Sequence, residues 1–405
     1  MTPSESLASP RLWLAFATML VVSGIGNTFP VFFPALLAEF GGSRAATAST
    51  VSLVWLVGAA LGPVAGHLVD RRSPRALVAA GLGATALGMA GAVAAPSLGL
   101  FVLSLGLGGG VGVGLTGMVI QAAVIADRYV RRRGFATGIA FSGSMAGYLL
   151  STPAQWAIET AGWRATLGGY LVLVVALVPL TLAIYPARLS ARPAAARPPA
   201  PAAGALARSL LRAPAFQALA FVFTVAPLVG YLATLQHALY FGSLGFPARE
   251  AAVMLTIGGV LSTSGRALIG LAADRFGAPL AGMVSLSMSL AGTLCLAALE
   301  AWPARALAYA YVALVFWPLG TRAVVVSLLV PRLAPPERFG AVFGMLVMVN
   351  SAGAGLGPLL SGAIYDLTRS YLAIYLTAAT LLALSLAAMA AFLSLTAPAG
   401  RAVLR

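Results

Sequence analysis

Apolar residues run along this chain in long blocks separated by short polar joints. The blocks span 12–38, 48–69, 76–95, 98–125, 135–158, 165–186, 215–242, 251–272, 279–300, 305–329, 339–364 and 371–395. Each reaches the roughly 20 residues that an α-helix needs to cross a hydrocarbon core. The pattern predicts an all-α membrane protein of twelve transmembrane helices with both termini on one side. Ala187–Pro214 interrupts it most deeply, with many Ala and Pro residues and with Arg188, Arg192, Arg197, Arg208 and Arg212. Such a stretch reads as a linker. The expected organisation is a six-helix bundle over 1–186, a linker over 187–214 and a second six-helix bundle over 215–405.

Composition narrows the class further. Of 405 residues 60% are hydrophobic and 9% charged, whereas a soluble domain is about a quarter charged. The formal net charge of +15 comes from arginine alone, since the chain has no lysine. These arginines lie between apolar blocks, so topology and anionic lipid head groups explain them better than nucleic acid does. The lone Cys295 excludes a disulfide framework and a cysteine metal site. The first apolar block is too long for a cleaved signal peptide and is expected to stay as the first helix.

Arginines crowd the joints after even-numbered blocks: Arg71, Arg72 and Arg75, then Arg128 and Arg131–Arg133, the linker, Arg275, and Arg332 with Arg338. Joints after odd-numbered blocks hold single arginines (Arg44, Arg164, Arg249, Arg305, Arg369) or none. By the positive-inside rule both termini are cytoplasmic, and the expected location is a bacterial inner membrane. The halves also repeat one another. Gly66-His-Leu-Val-Asp70-Arg71 matches Gly270-Leu-Ala-Ala-Asp274-Arg275, and in that register Arg266 falls opposite Gly62. Paired six-helix halves place a binding site between them near the midplane, and one half rocks on the other.

Gly66-His-Leu-Val-Asp-Arg-Arg-Ser-Pro-Arg75 resembles the cytoplasmic signature of the major facilitator superfamily, with a weaker copy at Gly270–Gly277. The resemblance implies the major facilitator fold and a gating role for Asp70, Arg71, Arg75, Asp274 and Arg275. Tyr129-Val-Arg-Arg-Arg-Gly-Phe-Ala-Thr-Gly138 and the glycines that follow to Gly147 resemble the fifth-helix signature of the monocarboxylate porter branch. Gly357-Pro-Leu-Leu-Ser-Gly-Ala-Ile-Tyr-Asp366 with Tyr371 resembles that branch and the oxalate/formate exchangers. Arg266 in Gly265-Arg-Ala-Leu-Ile-Gly270 matches the eighth-helix arginine that binds the substrate carboxylate in the branch. Other parts of the pattern are missing. Val31 follows Phe29-Pro30 where mammalian porters carry a lysine, Ser262 replaces the acid one turn before the arginine, and Asn350 stands nearest to the exchanger's second cation. A lysine–aspartate proton relay and a two-cation dicarboxylate clamp therefore do not carry over.

All ten acidic residues lie at helix ends or in joints. Arg266 and Arg322 are thus expected to sit inside the membrane without a carboxylate partner. A charge there is costly unless it meets a wet cavity, a partner or a ligand. Arginine also presents a planar, two-pronged donor to a carboxylate. For Arg322, snorkelling toward the cytoplasm competes with ligand binding. Asn27, Tyr231 and Asn350 are candidate cavity-lining groups, weighed evenly against helix–helix bonding; His237 reads as structural. The glycine-dense fourth block reads as a packing surface.

These features point to a secondary active transporter of a small organic monoanion, a monocarboxylate such as lactate or pyruvate, by alternating access. Arg266, Arg322, Asn27, Tyr231 and Asn350 form its candidate substrate site. Its expected partners are the organic anion, membrane lipids and, as a candidate coupling ion, protons, in symport or antiport. No nucleic acid, cofactor or metal is called for, and a monomer is expected. Efflux of amphipathic drugs or a neutral metabolite is the alternative, and a transporter-like receptor ranks below it. No buried nucleophile–base pair or metal-ligand cluster suggests an enzyme.

Overall fold

The computed structural model describes residues 9–69, 72–129, 133–189, 208–319, 321–333 and 339–396. Within its helices, the side chains at 63, 133, 134, 266–272, 274, 323, 324, 327 and 339–341 lie outside that description. Lipid offers backbone groups no hydrogen-bond partner, so a chain this apolar must satisfy them internally. It does so as helices α1 (Pro10–Phe40), α2 (Arg44–Val69), α3 (Pro74–Val93), α4 (Leu98–Thr116), α5 (Met118–Arg128), α6 (Arg133–Ala146) and α7 (Ser151–Ile184). After the linker come α8 (Pro214–Thr234), α9 (His237–Ser243), α10 (Ala248–Phe276), α11 (Ala278–Ala298), α12 (Arg305–Leu319), α13 (Arg322–Leu329), α14 (Phe339–Thr368) and α15 (Tyr371–Leu395).

These helices make twelve passes. Among the described residues nine helical stretches are long and apolar enough to span a membrane. One of them, Phe135–Ile184, holds two passes, because Gly162 turns the chain at φ 82°. Helix α10 and the shorter pair α12–α13 supply the other two. The protein is an all-α integral membrane protein. Pass four runs through α4 and α5, and pass five through α6, a 3-10 turn at Gly147–Leu150 and the start of α7. Pass seven combines α8 with α9. Pro10 and Leu395 mark one face of the bundle, called here the terminal face; Gly41 and Thr368 mark the distal face.

Buried side chains form two large clusters. One draws on residues from Leu14 to Tyr185, with Leu235 added. The other draws on Leu210 to Phe392, with Val31 and Tyr148 reaching in from earlier in the chain. Glycine in α4 sets the closest packing, in two stripes. A Cβ on Gly106 or Gly114 would strike Leu53 or Leu61 of α2, and one on Gly108 would strike Gly88 of α3. Small residues let backbones approach where lipid supplies no hydrophobic drive for association.

The distal face is tied by the arginines of the odd-numbered joints. Arg164 pairs with Glu39 and donates to the carbonyls of Val93 (3.1 Å) and Ala95 (2.9 Å), joining passes one, three and six. Arg305 pairs with Glu250 at 2.9 Å, and Arg249 with Glu159 at 2.6 Å. A run of hydrogen bonds then joins the chain before the linker to the chain after it, and it follows the distal half. Arg44 donates to Gln236 and to Tyr371 (2.8 Å), Leu359 N–H donates to Ser52 (3.1 Å), and Trp55 donates to Tyr231. Thr152 and Thr256 join passes five and eight at 2.7 Å.

Passes seven and eleven pack so closely that a Cβ on Gly353 would overlap the backbone carbonyl of Thr224. Backbone cannot rotate away, so Gly353→Ala is expected to destabilise by ~1–3 kcal/mol. Gly344→Ala, with nothing within 4 Å of the added methyl, is expected to leave stability unchanged. Thermal unfolding of the two purified variants checks the contrast.

Candidate functional site

The middle of the bundle is organised on α8. Pro227 lies inside it and has no N–H, so the Phe223 carbonyl loses its in-helix donor. Asn350 of α14 fills that vacancy, its Nδ2 donating to Phe223 O at 2.8 Å. One turn on, the Ala226 carbonyl accepts from Nη1 of Arg322 at 3.0 Å. Near the distal end of the same helix, the Tyr231 hydroxyl accepts from the Trp55 indole of α2. Three of the candidate residues therefore meet one helix, each at a different level.

Arg322 sits inside the bundle. It does not snorkel to a face, and its guanidinium is not left bare. The residue is only 7% exposed, at the first turn of α13, and also donates to Ser289 of α11. Its Nε has no hydrogen-bond partner among the described residues. Among the described residues the ion pairs involve Arg11, Arg164, Arg249 and Arg305, so no described carboxylate neutralises Arg322. Arg322 opens α13, and its side chain reaches into the second cluster, toward passes seven and nine. The potential it creates stays, but its donors point at protein.

Asn27 is 6% exposed, and its Nδ2 donates to the Ser144 carbonyl at 2.6 Å, tying pass one to pass five. Gly147, beside it, lies against the backbone of Gly24. His237 is held between Tyr311 (3.2 Å) and the Ala251 carbonyl (3.0 Å), a closed structural arrangement.

Arg266 lies in α10, but its side chain is among those outside the described residues. The backbone still places the position. Thr256 touches Thr152 and Gly259 lies against Tyr148, so both mark the face of α10 turned toward pass five. Position 266 is seven residues beyond Gly259, which returns it to that face about 10 Å closer to the terminal face. The adjoining flank of α10 faces pass ten: Ser262, one turn before position 266, donates to the Phe316 carbonyl at 2.7 Å, and Gly265 lies against Trp317. Position 266 thus falls between the flanks of α10 that face pass five and pass ten, on the terminal side of the distal bonds.

Of the expected gating residues, Asp70 and Arg71 lie outside the described residues, as does the side chain of Asp274. Arg75 is exposed at the first turn of α3, and Arg275 is exposed with its guanidinium over the Phe276 ring.

The Major Facilitator Superfamily pattern matches residues 14–329. The chain belongs to the major facilitator superfamily. Bovine monocarboxylate transporter 13 is 30% identical over 374 residues, covering 91% of this chain and 85% of the relative. Mouse monocarboxylate transporter 11 is 29% identical over 382 residues, covering 90% and 83%. An uncharacterised 38 kDa protein of Thermoproteus tenax is 29% identical, covering 97% and 98%. Among solved structures, a nucleoside transporter superposes with a TM-score of 0.79 at 14% identity, covering 95% of this chain and all of that one. A D-xylose-proton symporter gives 0.71 at 15%, covering 94% and 96%. At these identities the structures speak for the fold of this superfamily member, which is a transporter and not an enzyme.

Sequence reasoning missed Trp55 and the use made of Arg44. Trp55 is a single aromatic in an apolar block, and only its pairing with Tyr231 sets it apart. Arg44 stood out only as the single arginine of its joint.

If Asn350 serves the carbonyl freed by Pro227, the two residues are coupled. Asn350→Ala alone is expected to cost ~0.6–2 kcal/mol. In the Pro227→Ala background, where residue 227 regains its N–H, the same change is expected to cost much less. A double-mutant cycle read by thermal unfolding checks this.

Proposed function

We propose that this protein is a secondary active transporter of a small organic monoanion, a monocarboxylate, working by alternating access, with Arg266 as the group that meets the carboxylate. The observation that carries the reading is the position of residue 266. By helical register that position falls between passes five and ten, one from each half of the chain and deep in α10, where an arginine needs an anion or water. The names of the two mammalian relatives agree with that chemistry.

The other candidates take graded roles. Tyr231 already accepts from Trp55, so its own proton is free to be donated toward the seam. Arg322 adds a fixed positive potential that draws an anion inward without touching it. Asn27 and Asn350 hold helix positions around the site. Residues 1–186 and 215–405 act as the two rocking units about the 187–214 linker, with the termini and linker cytoplasmic. In this state the distal half is closed by its hydrogen bonds. Asp70, Arg71, Arg75, Asp274 and Arg275 then belong to the gate of the opposite face, where helix ends and basic side chains come together when that face closes. No lysine–aspartate relay exists to carry a proton, so coupling runs through the anion's own proton or through exchange.

Uptake into proteoliposomes, screened over lactate, pyruvate, acetate, formate and oxalate, tests the reading. A saturable signal is expected for a monocarboxylate. Arg266→Ala is expected to cut its initial rate at least tenfold, as loss of a two-pronged charged hydrogen bond worth ~1.5–3 kcal/mol requires. Undiminished uptake by that variant would overturn the site, and no saturable uptake of any acid in the panel would overturn the substrate class and favour efflux of a neutral or amphipathic substrate.

A further inference from the structure

Where α2 begins, the distal face carries a group of contacts that the proposed site does not use. Asp366, at the end of α14, accepts from two backbone N–H groups at the start of α2, those of Arg44 (3.1 Å) and Ala45 (2.9 Å), one on each carboxylate oxygen. Helix N-termini leave such N–H groups unpaired and carry partial positive charge, so a carboxylate there is well matched. The carboxylate comes from the far end of the sequence, 322 residues away. It caps a helix of the other cluster.

The Arg44 side chain does something separate. Its guanidinium lies over the Tyr365 ring, 3.3 Å from the centroid, and 5.0 Å from that of Tyr371. It donates to the Tyr371 hydroxyl at 2.8 Å and to Oε1 of Gln236, while Gln236 Nε2 donates to the Ser361 carbonyl at 2.7 Å. Arg44 and Asp366 do not form an ion pair with each other. Each reaches past the other to its own partner, so one residue of α2 engages passes seven, eleven and twelve. A Cβ on Gly362 would collide with the backbone at Arg44 and Ala45, so nothing larger than glycine permits this approach.

We propose that Arg44 and Asp366, with Tyr365, Tyr371 and Gln236, form the clasp that holds the distal face closed and sets how often it opens. Rocking the halves apart must withdraw the Asp366 carboxylate from the α2 N-terminus and lift Arg44 from its aromatic seat together. The exposed Arg249–Glu159 pair also crosses between the clusters but lies in water, where ion pairs contribute little. The clasp, not surface charge in general, controls opening.

Cysteine labelling tests this without reference to any substrate, so its failure and that of the transport reading are distinguishable. In a Cys295→Ala background, Ser52→Cys places a thiol where the Ser52 side chain is 4% exposed and faces Leu359 across the seam. Its rate of reaction with a hydrophilic maleimide in detergent reports distal opening. Asp366→Asn and Arg44→Ala are each expected to raise that rate about tenfold, a shift of roughly 1.4 kcal/mol in the opening equilibrium. Arg44→Lys is expected to behave like Arg44→Ala, because an ammonium cannot stack and donate in two directions as a guanidinium does. Glu159→Gln is expected to leave the rate unchanged. Monodisperse elution of each variant separates opening from misfolding. Parental labelling rates in both Asp366→Asn and Arg44→Lys, or an equal rise in Glu159→Gln, would overturn the clasp.

Discussion

A guanidinium in a hydrocarbon interior must be given something to bond, and the architecture follows from how each arginine meets that demand. Ten carboxylates serve twenty-five arginines, and the acids sit at helix ends. Charge pairing is therefore a business of the faces: Arg164 with Glu39, Arg249 with Glu159, Arg305 with Glu250. Inside, Arg322 donates to a carbonyl and a hydroxyl, which engage both Nη groups without cancelling its charge. Ser262 stands one turn before Arg266 and spends its own hydroxyl on Phe316. On the proposed reading, what remains for Arg266 is the substrate.

The same economy of polar groups shapes the moving parts. Pro227 breaks a bond in α8, and Asn350 repairs it from the neighbouring pass, so a flexible point is kept while no carbonyl is orphaned. Gly353 and Gly362 bring α14 against α8 and α2 at backbone distance. Among the described residues, polar contacts between the clusters gather where the distal face closes. A small set of breakable bonds over a glycine-lined seam suits an interface that must part and re-form.

Much of the fold was legible from the chain because lipid leaves few options: apolar blocks of sufficient length become helices, and all twelve did so. Their interruptions were not legible. The 3-10 turn at Gly147–Leu150, where Gly147 packs on Gly24, depends on a tertiary contact that periodicity cannot see. For the candidate site, sequence marked Arg266, Arg322, Asn27, Tyr231 and Asn350 as polar groups in apolar surroundings, but not where they point. Arg322 shows the gap best: its depth was readable, whereas its seat against Ala226 and Ser289 depends on how passes seven and nine pack around it. Arg44 shows the converse. It counted as an orientation signal, and only the approach of α14 reveals Tyr365, Asp366 and Tyr371 arranged around it.

The central claim is that an organic monoanion binds at Arg266. The most direct measurement is equilibrium binding of a panel of small mono- and dicarboxylates to the purified protein, read as ligand-induced thermal stabilisation and followed by isothermal titration. The account predicts that at least one monocarboxylate raises the unfolding temperature in a saturable manner, that its amide does not, and that Arg266→Ala abolishes the shift while keeping the unliganded unfolding temperature. Stabilisation that survives in Arg266→Ala, or that the uncharged amide matches, would contradict it.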